Sequence, residues 1–365
     1  YGAAMKALRP LAYRRDDGGL HRALMQAAQH YLAANGDHRF ADGGMLAKVA
    51  LLLALCGLCY GLSLQQQNGW AFFACYFGFI FIGMFLTVNV VHDASHNAFF
   101  RRPWANRWLN ALVSVPLGLD PDCWRVRHVL FHHAHNNIEH YDPDIDANGV
   151  LRQTPFQRWR PFMRAQRYYW PLVAALTFPY YIWLFDWLDR AGRTRVAARM
   201  AQQGVRGWCE FLAGKAAHLL LALAIPCWLL PPAIGIGQIL LVYLLSQMLS
   251  SLLFVMLIIG THWAKANFYQ APAQGAMPHG WYHHVFATTF DWLTRPRWLG
   301  YWLGGANLHL THHLFPHWSH RHYPALSRII GEVAPRFGID YRLLELEELL
   351  RLQQRFLSAM GRKPH

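Results

Sequence analysis

Lysine and arginine are missing from two long stretches of this chain, between Lys48 and Arg101 and again between Lys215 and Lys265. Each gap is long enough for two membrane crossings of about 20 residues apiece. Charge is scarce throughout, at 15% of residues against 54% hydrophobic, so 365 residues of this makeup read as one polytopic membrane domain rather than two or three soluble ones. Acidic side chains are the scarcer sign, 20 against 34 basic, for a net charge of +14. That excess forms no compact basic domain and no nucleic-acid module, which excludes nucleic acid as a partner. It suits anionic membrane lipids, a fatty carboxylate or an acidic electron-donor protein. The six cysteines show no paired Cys-x-x-Cys, since Cys56 and Cys59 stand alone in an apolar run. Neither an iron–sulfur or zinc-ribbon site nor disulfides are expected, and electrons must come from a partner.

The apolar segments predict four spans in two hairpins, 46–64 with 70–91 and 216–230 with 238–260. Uncharged links join them: Gln65-Gln66-Gln67-Asn68-Gly69 in the first hairpin, and Pro231, Pro232 and Gly235, which break a helix, in the second. The first apolar run starts too far in and is too long for a cleaved signal peptide. Basic residues gather in the arm 1–45, in the loop 92–215 and after Lys265, and by the positive-inside rule these are cytoplasmic. The segments 109–119 and 170–187 are read as lying in the interface, the first because it is too short to span, the second for its Trp and Tyr residues and its prolines. The expected organisation is an arm (1–45), a membrane domain (46–326) and a helical tail (327–365), with both termini cytoplasmic.

Histidine is abundant where charge is not. In His309-Leu310-Thr311-His312-His313-Leu314-Phe315-Pro316, residues three and four apart share a face if the segment is helical. His92-Asp93-Ala94-Ser95-His96 and His128-Val129-Leu130-Phe131-His132-His133 repeat the pattern upstream. An even number of crossings puts all three boxes on one side. Imidazole is the commonest neutral metal ligand near physiological pH. His92, His96, His128, His132, His133, His309, His312 and His313 exceed the four ligands of one structural zinc, so two metals are implied. Two irons that activate O2 over a buried hydrocarbon pocket would explain a metal cluster placed against lipid; the alternative, a hydrolytic dizinc or dimanganese site, usually includes bridging carboxylates, and the boxes supply none at ligand spacing. Asp93, Asp142 and Asp144 suit hydrogen bonding to the second ring nitrogen of ligands. His283 and His284 could extend the metal site but are read rather as surface or substrate-facing, and His135, His140, His317, His320 and His322 as surface groups or neighbours of ligands.

The three boxes, their order and the two hairpins resemble the membrane-bound fatty acid desaturase family, over about 46–326. Further matches are Trp124-Arg125-Val126-Arg127-His128, the run His132-His133-Ala134-His135-Asn136, Asp142-Pro143-Asp144, Thr288-Thr289-Phe290-Asp291 and Asn307. The resemblance implies an all-α membrane protein in which four transmembrane helices carry a cytoplasmic helical cap with a dimetal site of nine histidines. His262, in Gly260-Thr261-His262-Trp263, takes the place of the family's ninth ligand. It also implies O2-dependent removal of two hydrogens from a fatty acyl chain, with electrons from a separate ferredoxin or cytochrome b5-type protein. Front-end members carry Gln at the position of His309 and a fused cytochrome b5 domain, so His309 argues against front-end regiochemistry. The same metal chemistry can hydroxylate an alkyl chain or decarboxylate a fatty acid to a terminal alkene. A metal transporter would want polar residues midway through the spans, where His218 and Gln247 are the main exceptions.

Overall fold

The computed structural model describes residues 10–15, 18–200, 202–265 and 267–364; the rest of the arm and His365 of the tail lie outside the described residues. Among the described residues helix predominates, with one short two-stranded parallel sheet, and four helices are long and apolar enough to cross a membrane: Gly43–Ser63, Gly69–Ser95, Gly204–Leu229 and Ile236–Lys265. It divides into two compact units, 41–127 with 174–255, and 1–40 with 128–173 and 256–365.

In the first of these units, the two leading spans start where a side chain caps them. The Asp42 carboxylate accepts from the Met45 amide and the Asn68 side chain from the Ala71 amide, both at 2.9 Å. The pair packs side by side, with the Tyr60 and Phe79 rings 4.8 Å apart. The third helix widens into a π turn at Leu220–Ala224, just ahead of Pro226. Proline has no N–H to offer the carbonyl four residues back, that of Ala222. In hydrocarbon such a carbonyl needs a partner, and the Tyr76 hydroxyl supplies it at 2.5 Å, while the Tyr60 hydroxyl donates to Leu221 at 2.6 Å.

The third helix begins at Gly204, well before the expected 216, because Lys215 does not mark a membrane edge. Its ammonium is buried and spends its three protons on the Gly118 and Ile182 carbonyls, both at 2.9 Å, and on Asp186 at 2.8 Å. Asp186 also receives Arg127 at 3.3 Å and the Asp120 amide at 2.9 Å, and Arg127 pairs with Asp189. His218 sits between the Val115 carbonyl and the Tyr243 hydroxyl, and the Gln247 side-chain NH2 donates to the Leu117 carbonyl. The segment 170–187 is a chain of short helical pieces rather than a span.

The other unit is built on a core in which Leu20, Leu24 and Ala28 of the arm helix (Leu20–Ala34) join Leu326, Ile330 and Val333 of Tyr323–Val333, with Leu310, Leu314 and Phe315 between. Asp291–Leu293 pairs in parallel with Leu343–Glu345. The C-terminal helix Leu346–Met360 crosses the end of the fourth span, where a Cβ on Gly260 would collide with the Gln353 side chain. The Gln353 amide donates to Met256 at 2.7 Å and the Trp292 indole to Leu257 at 3.0 Å, two carbonyls of the π turn Val255–Ile259 that leads into His262.

Asp186→Ala leaves the Lys215 ammonium buried without its carboxylate. Breaking a buried pair costs about 3–5 kcal/mol, so the variant is expected to melt well below wild type in detergent. An unchanged melting curve would show that the network carries no stability.

Candidate metal centre

His309–Leu314 is a helix, and it places His309, His312 and His313 on one buried face. Its first turn is anchored by Asp291, whose carboxylate accepts from the Thr311 amide at 3.1 Å, from the Thr311 hydroxyl, and from the Tyr341 hydroxyl at 2.6 Å. Burial raises the Asp291 carboxyl to about 6, against the pull of these donors.

His128 and His132 lie in a π turn, Val126–His132, with His133 directly after it. A π turn closes i→i+5, so residues four and five apart can both face the residue they follow. That geometry accommodates the four-then-five spacing, and His133 Nε2 sits 3.2 Å from His128 Nε2. His312 Nε2 lies 2.8 Å from the same His133 nitrogen.

A second group sits against this one, the His133 and His313 rings stacking at 4.1 Å. His132, His262, His309 and His313 are all buried, and each offers a ring nitrogen within 4.8 Å of the others. His309 Nε2 is 3.0 Å from His262 Nε2 and 3.3 Å from His313 Nε2. His92 and His96 belong to the other compact unit. Their ring centroids are 5.4 Å apart, and Asp93 Oδ1 is 3.7 Å from His92 Nδ1, beyond hydrogen-bond distance.

The opposite ring nitrogens fix the tautomers. His262 Nδ1 donates to the Thr288 carbonyl at 3.1 Å, since a carbonyl only accepts, which leaves Nε2 of the neutral ring with a bare lone pair. His132 Nδ1 faces Asp142 at 3.0 Å and Asp144 at 3.3 Å. Asp142 is itself held by the Asn137 amide at 2.8 Å. His312 Nδ1 meets the Tyr323 hydroxyl at 2.7 Å. Lone pairs pushed together in this way call for a cation. Burial and the surrounding imidazoles hold His313 well below its usual pKa, so a shared proton is disfavoured and a metal fits the donor set. Burial pulls His132 down as well, but Asp142 and Asp144 outweigh it and carry that ring up to about 9.

Other histidines serve the scaffold. His284 is buried, contrary to the expected surface or substrate-facing role, because its two nitrogens are taken by the Asn136 carbonyl at 2.7 Å and His279 at 2.9 Å. His140 and His317 are exposed, and His320 and His322 are buried. Spacing assigned no role to Asp291, Thr288 or Tyr323. The first two stand in Thr288-Thr289-Phe290-Asp291, and that match was the available signal.

Comparison with known proteins agrees with this geometry. The model of the fatty acid desaturase family matches residues 68–344. The chain is 27% identical to the sn-1 linoleoyl-lipid 6-desaturase of Synechocystis sp., across 94% of this chain and 96% of that protein. It is 25% identical to the protein of the same name from Arthrospira platensis, over 69% of this chain and 68% of the relative. It is 27% identical to the acyl-lipid (8-3)-desaturase of Physcomitrium patens, over 74% of this chain and 56% of that one.

In metal-free protein His132 binds its proton more tightly folded than unfolded. The resulting stabilisation is full below about pH 6.5 and is lost as pH rises towards about 9. Asp142→Asn should remove much of it. Chelator-treated wild type is therefore expected to lose more stability than the variant between pH 6 and pH 9. Equal losses in thermal melts would show that the carboxylate does not hold the proton.

Proposed function

Because the chain belongs to the fatty acid desaturase family, we propose that it introduces a double bond into a fatty acyl chain using two irons, O2 and electrons from a separate ferredoxin or cytochrome b5-type donor. It is a membrane oxidoreductase acting on fatty acyl lipids. The names of the relatives favour an acyl group esterified to a lipid as the substrate. The observation that carries the reading is the crowding of ring nitrogens at 2.8–3.3 Å in His128, His133 and His312 and in His262, His309 and His313.

The proposed ligands are those histidines together with His132, and with His92 and His96, which are assigned on the histidine-box motif. When bound, the irons supply an oxidant strong enough to take hydrogen from an unactivated C–H. The protein supplies aim. The helix His309–Leu314 fixes three imidazoles at one register, Asp291 pins its first turn, and Asp142, Asp144 and the Thr288 carbonyl keep protons on Nδ1 so that Nε2 stays free. Asp93, 3.7 Å from His92 Nδ1, is proposed to support that ring by its charge rather than by a hydrogen bond. We place the catalytic domain at 46–326, with the arm and tail as its flanks. The boxes and both termini are assigned to the cytoplasm from the distribution of lysine and arginine; a non-cytoplasmic signal from a C-terminal reporter would overturn that orientation.

Expression in a host lacking this protein should add one double bond to acyl groups of membrane lipids, read by mass spectrometry. Protein purified from iron-replete cells should carry close to two irons per chain. Products limited to ω-alcohols or terminal alkenes, or one zinc and no iron, would overturn the proposal.

His309 separates ligand from scaffold. Glutamine keeps an oxygen donor within reach and alanine offers nothing, so His309→Gln should retain measurable turnover while His309→Ala does not. At His312 and His313 both substitutions should abolish turnover and lower bound iron, with losses above the roughly 10–100-fold of outer-shell changes. Full activity in His312→Ala would undo the assignment.

A further inference from the structure

The third box has a support that lies beyond its own motif. Tyr323 is buried, and its hydroxyl stands 2.7 Å from His312 Nδ1. On the other edge of that ring, His312 Nε2 faces His133 Nε2 at 2.8 Å. An imidazole that ligates through Nε2 carries its proton on Nδ1, so the phenol oxygen must accept from His312.

The phenol is held from three sides. Gly305, at φ +69°, leaves the space that the ring fills, since a Cβ there would meet Tyr323 Cδ2 at 2.6 Å. The same ring begins the helix Tyr323–Val333, whose inner face packs in the core with the arm helix. Immediately before it, residues 319–322 are clamped to the arm. Ser319 donates to the Arg39 carbonyl at 2.8 Å, and His322 sits between the Tyr31 hydroxyl at 3.2 Å and the His38 carbonyl at 2.9 Å. The Arg321 fork takes both oxygens of Asp37 at 2.8 and 2.7 Å, with the His38 and Phe40 carbonyls at 2.7 and 2.8 Å. The Arg321 hydrogen bonds hold the Asp37 carboxyl well below the usual carboxylate range.

We propose that Tyr323 is a positioning residue of the metal centre: its phenol oxygen holds the Nδ1 proton of His312 and so presents Nε2, and the clamp between 319–322 and 31–40 fixes the phenol in place. This rests on the dimetal reading of the site. It assigns to the arm a part in the geometry of the centre. A phenol is a weaker acceptor than a carboxylate, which makes His312 a less basic ligand than His132.

The test compares wild type with Tyr323→Phe, purified in detergent and loaded with 57Fe(II), by chelator competition and Mössbauer spectroscopy. Outer-shell partners are worth about 10–100-fold in metal affinity. Tyr323→Phe is therefore expected to release one of its two irons about tenfold more readily, with altered parameters for that iron alone and a melt that stays cooperative. A 3-fluorotyrosine at 323, assayed at a pH that keeps its phenol protonated, nearly keeps the ring's shape and weakens the oxygen as an acceptor, so it should shift release in the same direction even if the Phe variant does not fold. Wild-type release and spectra in the variant that folds would reduce Tyr323 to packing. Wild-type protein that holds no iron would instead sink the dimetal reading, a result distinct from failure of the Tyr323 proposal.

Discussion

Imidazole nitrogens held about 3 Å apart with their lone pairs facing each other repel unless positive charge lies among them. The buried unit around the third box is arranged under that constraint. His262 cannot turn its proton inwards, because its Nδ1–H is committed to the Thr288 carbonyl. His313 cannot readily gain one, because burial and its neighbours oppose it. With those two rings kept neutral, the donor set favours a cation that accepts several nitrogens at once, as transition metals do. The cost of gathering the rings without such a cation explains why so many hydrogen bonds from outside the boxes hold them where they are.

A second constraint comes from the backbone. π turns recur in the chain, at Thr87–Val91 ahead of His92, at Val126–His132 and at Val255–Ile259 ahead of His262. Each re-aims the residues next in the chain and leaves helix carbonyls without their ordinary donors. Side chains make up the difference: Gln353 and Trp292 at 256 and 257, and Asn89 on the Phe85 carbonyl at 2.9 Å. The turn at Leu220–Ala224 shows that the device is not confined to histidine boxes, since there the hydroxyls of Tyr60 and Tyr76 do the same for a proline.

The four apolar helices were legible because missing charge is read directly from composition, and so were the box histidines on His309–Leu314, because i, i+3 and i+4 define a helix face. Limits failed where a charge was neutralised by tertiary contacts. Lys215 looks like a membrane boundary until Asp186 and two carbonyls are seen around it. His284 looks like a member of an exposed pair until Asn136 and His279 take its nitrogens. In both cases the deciding partner is distant in sequence and carries no periodic signal. The second box shows a subtler limit. Its four-then-five spacing is awkward on an α-helix and natural on a π turn, which spacing alone does not announce.

The proposed ligands are written alike in the sequence, yet they are not equivalent. What an imidazole gives a metal depends on what its other nitrogen donates to. For His132 that partner is a pair of carboxylates, for His262 a peptide carbonyl and for His312 a phenol. These rank from strong to weak acceptors, so the basicity of the ligands is graded within one compact unit. The nearest partners lie 10, 26 and 11 residues from their histidines. All the proposed ligands but His262 are thus read locally, from the boxes, whereas the strength of each would be set by the fold, through residues that no box contains.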